Sequence, residues 1–417
     1  MKKKVVIVGG GIIGFSCAYY LIEEGHEVIL VDKNSFDSGA SIVNAGYIIP
    51  SHIIPLASPE VLRKGIKWML NSNSPFYIKP RFNKDLINWG INFIKSSNFR
   101  HVNRSISIIK KINEFSKELY LELRDSKKID FKIYEKGLLM AFKTSKAEKE
   151  EFKTAKIARE LEMNVQELSQ KEVNSMQPKI KMNIKGAFWY KSDAHLTPET
   201  FMNNLKSYLL KKGLKVYKEN LVESFNYNSG IINSIRTKKN EIFGDEFVIA
   251  AGAWSENLLK KLRIKLLIQA GKGYRINLLK NTGISYPAIL LEDKVAVTPM
   301  DGFTRFGGTM EISGLNTKIN FKRVNAIAKS SEEYYEGLKI SSQNINDAQC
   351  GLRPLSPDGL PFIGRHSSYN NLVLATGHSM MGWSLGPVTG KLVSEIISGK
   401  KESISIDPFN PERKFGY

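Results

Sequence analysis

The start of the chain combines two short apolar runs with a glycine-rich turn and a helical pattern between them. Residues 5–8 are continuously apolar, which is typical of a strand buried on both faces. Glycines follow at once, and residues 15–24 then carry a helical pattern that Gly25 closes. A second apolar run covers residues 27–31. This order of strand, turn, helix and strand predicts a βαβ unit.

The turn contains the motif Gly9-x-Gly11-x-x-Gly14, which is typical of dinucleotide binding. The first glycine permits a tight turn, the second lets the backbone approach a pyrophosphate, and the third allows close helix packing. Asp32 follows the second strand, 18 positions after Gly14. That spacing is close to the roughly 20 residues expected for the acid that hydrogen-bonds the ribose. The unit itself leaves NAD and FAD open.

The C-terminal part of the chain shows a related pattern. Residues 372–375 predict a strand, residues 376–384 a glycine-bearing turn, and residues 387–398 a helix that Gly399 ends. The N-terminus of such a helix carries about half a positive elementary charge. It would stabilise an anion in the turn, which could be a reduced flavin, a carboxylate or a phosphate.

The length of 417 residues predicts two packed domains, because single cores stop growing at roughly 250–300 residues. In the middle of the chain we expect helices around residues 82–125 and a lysine-rich stretch of helix and loop over 141–172. We expect an antiparallel sheet with strands at residues 137–142, 186–190, 273–278 and 288–298.

The chain is strongly basic, with 61 Lys and Arg against 41 Asp and Glu and a net charge of +20. Such a charge could attract nucleic acid or an anionic membrane. The lysines are scattered and accompany abundant Asn and Ile, as a biased coding composition would produce, so we expect no nucleic-acid partner. Peripheral association with the inner face of a membrane is the alternative. No apolar run reaches the roughly 18–20 residues of a transmembrane helix.

Cysteine and histidine patterns exclude several other kinds of site. Cys17 and Cys350 are too few and too far apart for a disulfide framework or a cysteine-ligated zinc site. The six histidines show no metal-ligand spacing, so no metal is predicted. We therefore expect a cytoplasmic protein.

Seven sequence blocks, in order along the chain, carry a resemblance to a known family. They are residues 9–14, 41–50 (SIVNAGYIIP), 193–198 (DAHLTP), 248–255 (VIAAGAWS), 271–274 (GKGY), 351–364 (GLRPLSPDGLPFIG) and 371–390 (NLVLATGHSMMGWSLGPVTG). The chain resembles the FAD-dependent D-amino acid oxidase superfamily, and most of all its D-amino acid dehydrogenase branch of the small-subunit type. Glycine oxidase and sarcosine oxidase are similar. The segment Ser379-Met380-Met381 departs from the smaller residues of the family.

The resemblance implies an α/β plus α+β fold, with a Rossmann-type FAD-binding domain and a discontinuous mixed-sheet substrate domain. The FAD-binding domain would comprise residues 1–60, 196–260 and 350–417. Residues 61–195 and 261–349 would form the substrate domain. The pocket would lie where the two domains meet.

The function implied by the resemblance is FAD-dependent oxidative deamination of a D-amino acid or related imino acid. A hydride would pass from the α-carbon to flavin N5, and the resulting imine would hydrolyse to a 2-oxo acid. A quinone or other carrier would accept the electrons. The alternatives are a glycine/sarcosine-type oxidase using oxygen and an FAD-dependent tRNA-modifying oxidoreductase, although the chain lacks the additional methyltransferase domain of the latter.

Carried over position by position, the resemblance also implies site residues. Arg353 in GLRP would bind the substrate carboxylate, and Tyr274 would be a second carboxylate ligand. Covalent attachment of FAD through Cys350 is not expected, because its spacing to the downstream Pro-Asp differs by one. The residues that would bind FAD are Gly9, Gly11, Ile12, Ile13, Gly14, Asp32, Lys33, Ala40, Ser41, Ala45, Gly46, Tyr47, Val222, Ala251, Gly252, His378, Ser379, Met380, Met381, Gly382, Trp383 and Ser384.

Overall fold

A computed structural model of the chain describes residues 1–69 and 74–416. The α-helices of these residues are α1 (Ile12–Glu23), α2 (Ala40–Val43), α3 (Pro59–Met69), α4 (Lys84–Ser96), α5 (Phe99–Asp125), α6 (Ser145–Glu160), α7 (Gln170–Met176), α8 (Pro198–Lys211), α9 (Ser255–Lys260), α10 (Phe321–Tyr334), α11 (Ser342–Asn346) and α12 (Gly386–Ser398). The strands are β1 (Lys4–Val8), β2 (Glu27–Val31), β3 (Tyr47–Ile48), β4 (Phe76–Ile78), β5 (Leu138–Phe142), β6 (Val165–Ser169), β7 (Gly186–Tyr190), β8 (Ala194–His195), β9 (Lys215–Tyr217), β10 (Val222–Asn228), β11 (Ile231–Thr237), β12 (Glu241–Phe243), β13 (Glu246–Ile249), β14 (Gln269–Leu278), β15 (Ala288–Leu290), β16 (Val295–Met300), β17 (Phe303–Ile312), β18 (Gln349–Leu355), β19 (Phe362–His366) and β20 (Tyr369–Thr376).

A six-stranded sheet contains the predicted βαβ unit. Its strand order is β19-β20-β13-β1-β2-β9, and every pair is parallel except β19 with β20. The first helix begins at Ile12, earlier than predicted, because Gly11 already serves as its N-cap. The middle strands are almost entirely buried, as parallel strands covered on both faces must be. This sheet places the glycine-rich turn at the carboxyl end of β1, where ligands bind in such folds.

A nine-stranded mixed sheet forms the second layer. Its order is β18-β14-β17-β16-β15-β5-β7-β6, with β4 added to β17. We expected an antiparallel sheet, but two of its strand pairs are parallel. These are β15 with β5 and β4 with β17. The expectation of one strand over residues 288–298 is also wrong. Ala288 pairs with Val297 in an antiparallel hairpin, since the chain reverses between β15 and β16.

Two elements, a strand and a helix, lie in a different layer from the one expected for their segments. β18, which spans the expected boundary at residue 350, pairs with β14 in the nine-stranded sheet. α5 lies in the segment expected to serve the substrate layer, yet it packs on α12 beside the six-stranded sheet. The hydroxyl of Tyr120 in α5 donates to the carbonyl of Trp383 at 2.7 Å. The two layers therefore share elements around the gap between them.

Helices α1 and α12 approach each other closely on one face of the six-stranded sheet. A Cβ atom on Gly390 would lie 2.4 Å from the backbone of Ser16, and one on Gly386 would lie 2.7 Å from Ile12. A side chain at position 390 would have to move the backbone, and one at position 386 would have to displace the side chain of Ile12. The glycines of α12 thus hold it against the first turns of α1, which border the cofactor site described below.

We expect Gly390→Ala to destabilise the protein by about 1–3 kcal/mol, because the added methyl group forces the two helices apart. Thermal unfolding measures the effect. The control is Gly90→Ala in α4, where an added Cβ meets nothing within 4 Å. This variant should be unchanged or up to about 1 kcal/mol more stable, since alanine favours helix. Equal melting temperatures for the two variants would contradict the packing argument.

Candidate active site

A cavity of about 800 Å³ lies between the two large sheets. Most of the residues implied by the resemblance line it. They are Gly9, Gly11, Ile12, Ile13, Asp32, Lys33, Ala40, Ser41, Ala45, Tyr47, Val222, Ala251, Gly252, Tyr274, Arg353, His378, Ser379, Met380, Gly382 and Trp383. Residues that are far apart along the chain therefore meet around one elongated space.

Four of the implied residues do not line the cavity and support its walls instead. A Cβ on Gly14 would lie 1.8 Å from the carbonyl oxygen of Gly9, so this glycine permits packing of α1 on the turn. Gly46 has φ +72°. Met381 packs against the core of the six-stranded sheet. The hydroxyl of Ser384 accepts the N–H of Ile49 at 3.1 Å.

The glycine-rich turn offers backbone N–H groups to one end of the cavity. Gly9 has φ +116°, and a Cβ there would lie 2.4 Å from the carbonyl oxygen of Ala250, so the position requires glycine. Gly11 caps α1 without a side chain, and the hydroxyl of Ser41 accepts the N–H of Ile12 at 2.9 Å. A helix N-terminus with this open approach fits the pyrophosphate of a dinucleotide.

Asp32 and its neighbours form the next part of the wall. One carboxylate oxygen of Asp32 accepts the N–H of Gly10 at 2.6 Å, and the other accepts the N–H of Asn34 at 2.7 Å. Each oxygen keeps a further lone pair for a ribose hydroxyl. The ammonium group of Lys33 lies 3.5 Å from the ring centre of Trp254, a cavity residue that was not predicted. Burial lowers the pKa of Lys33.

The turn after β20 also lines the cavity. Gly377 and Ser379 both have positive φ, at +75° and +51°. The N–H of Ser379 donates to the carbonyl of Pro354 at 2.8 Å, which joins this turn to β18. The Nε2 atom of His378 lies 3.0 Å from the hydroxyl oxygen of Thr389, and burial lowers the pKa of His378 to about 3. The imidazole is therefore neutral at neutral pH.

Arg353 extends from β18 across the neighbouring strand β14. A Cβ on Gly273 would lie 2.3 Å from its Nη1 atom, so the guanidinium passes directly over this glycine. Nη1 donates to the carbonyl of Thr309 at 2.9 Å. Burial alone lowers the pKa of Arg353 to about 10, and no ion pair joins it to a carboxylate of the described residues. A cation without an anionic partner thus borders the cavity.

Tyr274 has a different partner from the one expected. Its hydroxyl donates to Glu311 at 2.8 Å, and its ring packs in the core beneath α10. Glu311 also lies 3.4 Å from Lys272. Adjacent residues of a strand point to opposite faces, so Tyr274 points away from the face on which Gly273 meets Arg353. The hydroxyl of Tyr274 is thus already bonded to Glu311, and its role as a second carboxylate ligand stays a prediction.

Sequence reasoning missed Arg305, which joins the two layers. This residue of β17 is completely buried. Its Nη1 atom donates to the carbonyls of Ile42 and Asn44, at 2.9 and 2.7 Å, and its Nη2 atom pairs with Glu199 of α8. Nothing in the pattern FTRFGG distinguishes such an arginine from one on the surface.

The family comparison agrees with this geometry. The model of the DAO family, described as FAD dependent oxidoreductase, matches residues 4–396. The chain belongs to this family. The predicted family and the predicted cofactor, FAD, are thereby confirmed, and the glycine turn, Asp32 and the β20 turn all fit that cofactor. The protein is an FAD-dependent oxidoreductase.

Relatives of this oxidoreductase match it along nearly their whole length. A D-amino acid dehydrogenase of Helicobacter pylori is 29% identical over 402 residues, which cover 95% of each protein. A D-amino acid dehydrogenase of Neisseria meningitidis serogroup C is 28% identical over 418 residues, covering 98% of this chain and 99% of the relative.

Solved structures confirm the predicted fold class. Glycine oxidase from Geobacillus kaustophilus has a TM-score of 0.75 at 21% identity and covers 100% of both chains. L-Proline dehydrogenase from P. horikoshii has a TM-score of 0.72 at 18% identity, covering 99% of this chain and 97% of that one. At these identities the similarity concerns the fold alone.

We expect Asp32→Ala to weaken FAD binding roughly tenfold to 100-fold, because hydrogen bonds to a charged group contribute about 1.5–3 kcal/mol. The Gly10 and Asn34 amides also lose their acceptor. The measurement is the Kd of FAD for the apoprotein, from quenching of flavin fluorescence. Asp37→Ala removes a nearby exposed carboxylate that does not line the cavity and should leave this Kd unchanged. Equal affinities for both variants would contradict the assignment.

Proposed function

We propose that this oxidoreductase oxidises the α-carbon of a D-amino acid or related imino acid and passes the electrons to a quinone or other carrier. The observation that carries the proposal is the unpaired guanidinium of Arg353 inside the FAD cavity. A cation there calls for an anionic group on the substrate, and every amino acid has a carboxylate. The D-amino acid dehydrogenases among its relatives support the choice of substrate class.

Bound FAD would supply the hydride acceptor, as flavins do in amine oxidation. The contribution of the protein is to hold the substrate in place. The planar guanidinium of Arg353 suits two parallel hydrogen bonds to a carboxylate, which fixes both position and orientation. Its own position is set by the carbonyl of Thr309 and by the space above Gly273. Such positioning accounts for a large part of catalysis when no side chain needs to react.

We also propose a division of labour between the two layers. Residues 1–60, 196–260 and 350–417 would hold FAD, and residues 61–195 and 261–349 would shape the substrate space. Strand β18 is an exception to this division, because it lies within the nine-stranded sheet although most of its residues follow position 349, and it carries Arg353. We therefore place the last crossing between the two layers after Leu355.

Substitution of Arg353 tests the carboxylate ligand. We expect Arg353→Ala to lower kcat/KM for the best amino acid by about 30-fold to several thousand-fold, corresponding to about 2–5 kcal/mol. Arg353→Lys should restore part of this loss, since a point charge cannot reproduce the fork.

The control for this test is Arg236→Ala, which removes an exposed arginine of β11 that lies outside the cavity. It should keep wild-type kcat/KM, and all variants should keep their FAD. Wild-type kcat/KM in Arg353→Ala would place the carboxylate ligand elsewhere. An anaerobic screen in which no D-amino acid reduces the flavin would overturn the proposed function itself.

We further propose that the protein associates peripherally with an anionic membrane through α4. None of the helices in the described ranges has the length and apolarity needed to span a bilayer. α4 nevertheless exposes Ile87, Ile91 and Ile94, at 52%, 47% and 58% of their surface. These residues share one helix face. Exposed Lys84 and Lys95 flank them, and cations near an anionic surface contribute about 1 kcal/mol each.

The position of α4 supports a connection with the active site. Its buried face holds Trp89, whose indole N–H donates to the carbonyl of Leu355 at 2.8 Å. Leu355 ends β18, the strand that carries Arg353. A carrier dissolved in the membrane, such as a quinone, would then reach the protein on the side where β18 ends.

Vesicle binding tests this surface. We expect the wild-type protein to sediment with phosphatidylglycerol-containing vesicles at low salt, and the Ile91→Asp/Ile94→Asp double variant to remain in the supernatant. Ile231→Asp changes an exposed isoleucine of β11 and should behave as the wild type. Sedimentation of the double variant to the wild-type extent would exclude α4 as the docking surface.

A further inference from the structure

We propose that Lys294 forms a second anion-binding position in the cavity, so that the preferred substrates are D-amino acids with an acidic side chain. This proposal rests on the proposed function and extends it to a substrate class. It rests on the side chains of a lysine, a threonine and a histidine that line the cavity and have no hydrogen-bond or ion-pair partner among the described residues.

Lys294 lies in the turn before β16 and lines the cavity. It forms no ion pair among the described residues, although three carboxylates are near enough to affect its pKa. Each of them has another partner: Glu150 pairs with Lys64 at 2.7 Å, Glu151 accepts the hydroxyl of Tyr190, and Glu292 accepts the backbone N–H groups of Lys143 and Thr144. The ammonium of Lys294 is therefore available to a ligand.

The strand register places Lys294 close to the expected carboxylate site. Val295 pairs with Gly308 in the antiparallel ladder of β16 and β17. Lys294 precedes Val295 and Thr309 follows Gly308, so these two residues are neighbours across strands that lie about 4.8 Å apart. The carbonyl of Thr309 is the acceptor of the Arg353 guanidinium. The two cationic residues thus lie on either side of Thr309, and we infer that they bind the two carboxylates of one dicarboxylate.

Thr309 adds a polar group between the two cations. Its φ is +64°, which is a rare conformation for a β-branched residue. Lys294 also has a positive φ, at +54°. The hydroxyl of Thr309 is buried and has no hydrogen-bond partner among the described residues, although the residue lines the cavity. Strained backbone with an unused hydroxyl is typical of positions kept for a ligand.

His52 completes this end of the cavity. It lines the cavity, and no hydrogen bond to its ring is found within the described part of the chain. Burial, and to a smaller extent the charge of Lys294, lower the pKa of His52 to about 4, and both residues line the same cavity. A neutral imidazole can donate one N–H bond to a carboxylate beside the ammonium of Lys294.

Paired acid and amide substrates provide the first test. We expect wild-type kcat/KM to be at least about tenfold higher for D-glutamate than for D-glutamine, as loss of a charged hydrogen bond predicts. D-Aspartate and D-asparagine form a second pair. Lys294→Met should remove the preference, whereas Lys64→Met, which removes a neighbouring charge that does not line the cavity, should keep it. An unchanged preference in Lys294→Met would overturn the proposal.

Unreactive ligands provide a second test that does not depend on turnover. Glutarate and butyrate carry two carboxylates and one, and each should perturb the flavin absorption spectrum of the holoprotein on binding. We expect glutarate to bind at least about tenfold more tightly in the wild type, and the two affinities to converge in Lys294→Met. Equal affinities in the wild type would overturn the second anion position. If D-alanine still reduced the flavin when the two affinities are equal, the proposed function would remain supported.

Discussion

Arg305 joins the two sheets through a guanidinium group that has no access to solvent. It binds the carbonyls of Ile42 and Asn44 in residues 38–46, here called the cofactor loop, and the carboxylate of Glu199 in α8. Its own strand belongs to the nine-stranded sheet. Removal of one partner of a buried charge pair typically destabilises a protein by about 3–5 kcal/mol. We therefore expect Arg305 to hold this loop against the nine-stranded sheet, since both carbonyls that it binds lie in the loop.

Glycines allow the same two layers to pack closely against each other. A Cβ on Gly351 would lie 2.5 Å from Val43 and 2.8 Å from the backbone of Ala40. Gly273 leaves similar room for the guanidinium of Arg353. The glycines of the blocks GKGY and GLRP therefore allow β14 and β18 to pass close beneath the cofactor loop. Larger residues at either glycine would separate the substrate ligand from the flavin space.

Local contacts made much of the fold and site predictable from the sequence. The glycine turn and Asp32 lie within one βαβ unit, so their spacing alone defines their geometry. The partner of Tyr274 could not be predicted, because a bulge in the β14–β17 pairing decides what its side chain reaches. Lys294 and Thr309 gave no signal, since neither is a glycine despite its positive φ. The reversal within residues 288–298 was missed for the same reason.

The six-stranded sheet is assembled from parts of the chain that are made at very different times. Val5 of β1 pairs with Glu246, and Phe247 pairs in turn with Leu372. A ribosome adds about 5–20 residues per second, so the first βαβ unit waits without its neighbouring strand while more than half of the protein is synthesised. During that time the apolar edge of β1 is open to pairing with other chains. We therefore expect folding of this flavoprotein to depend on protection of its N-terminal strand until β13 has emerged.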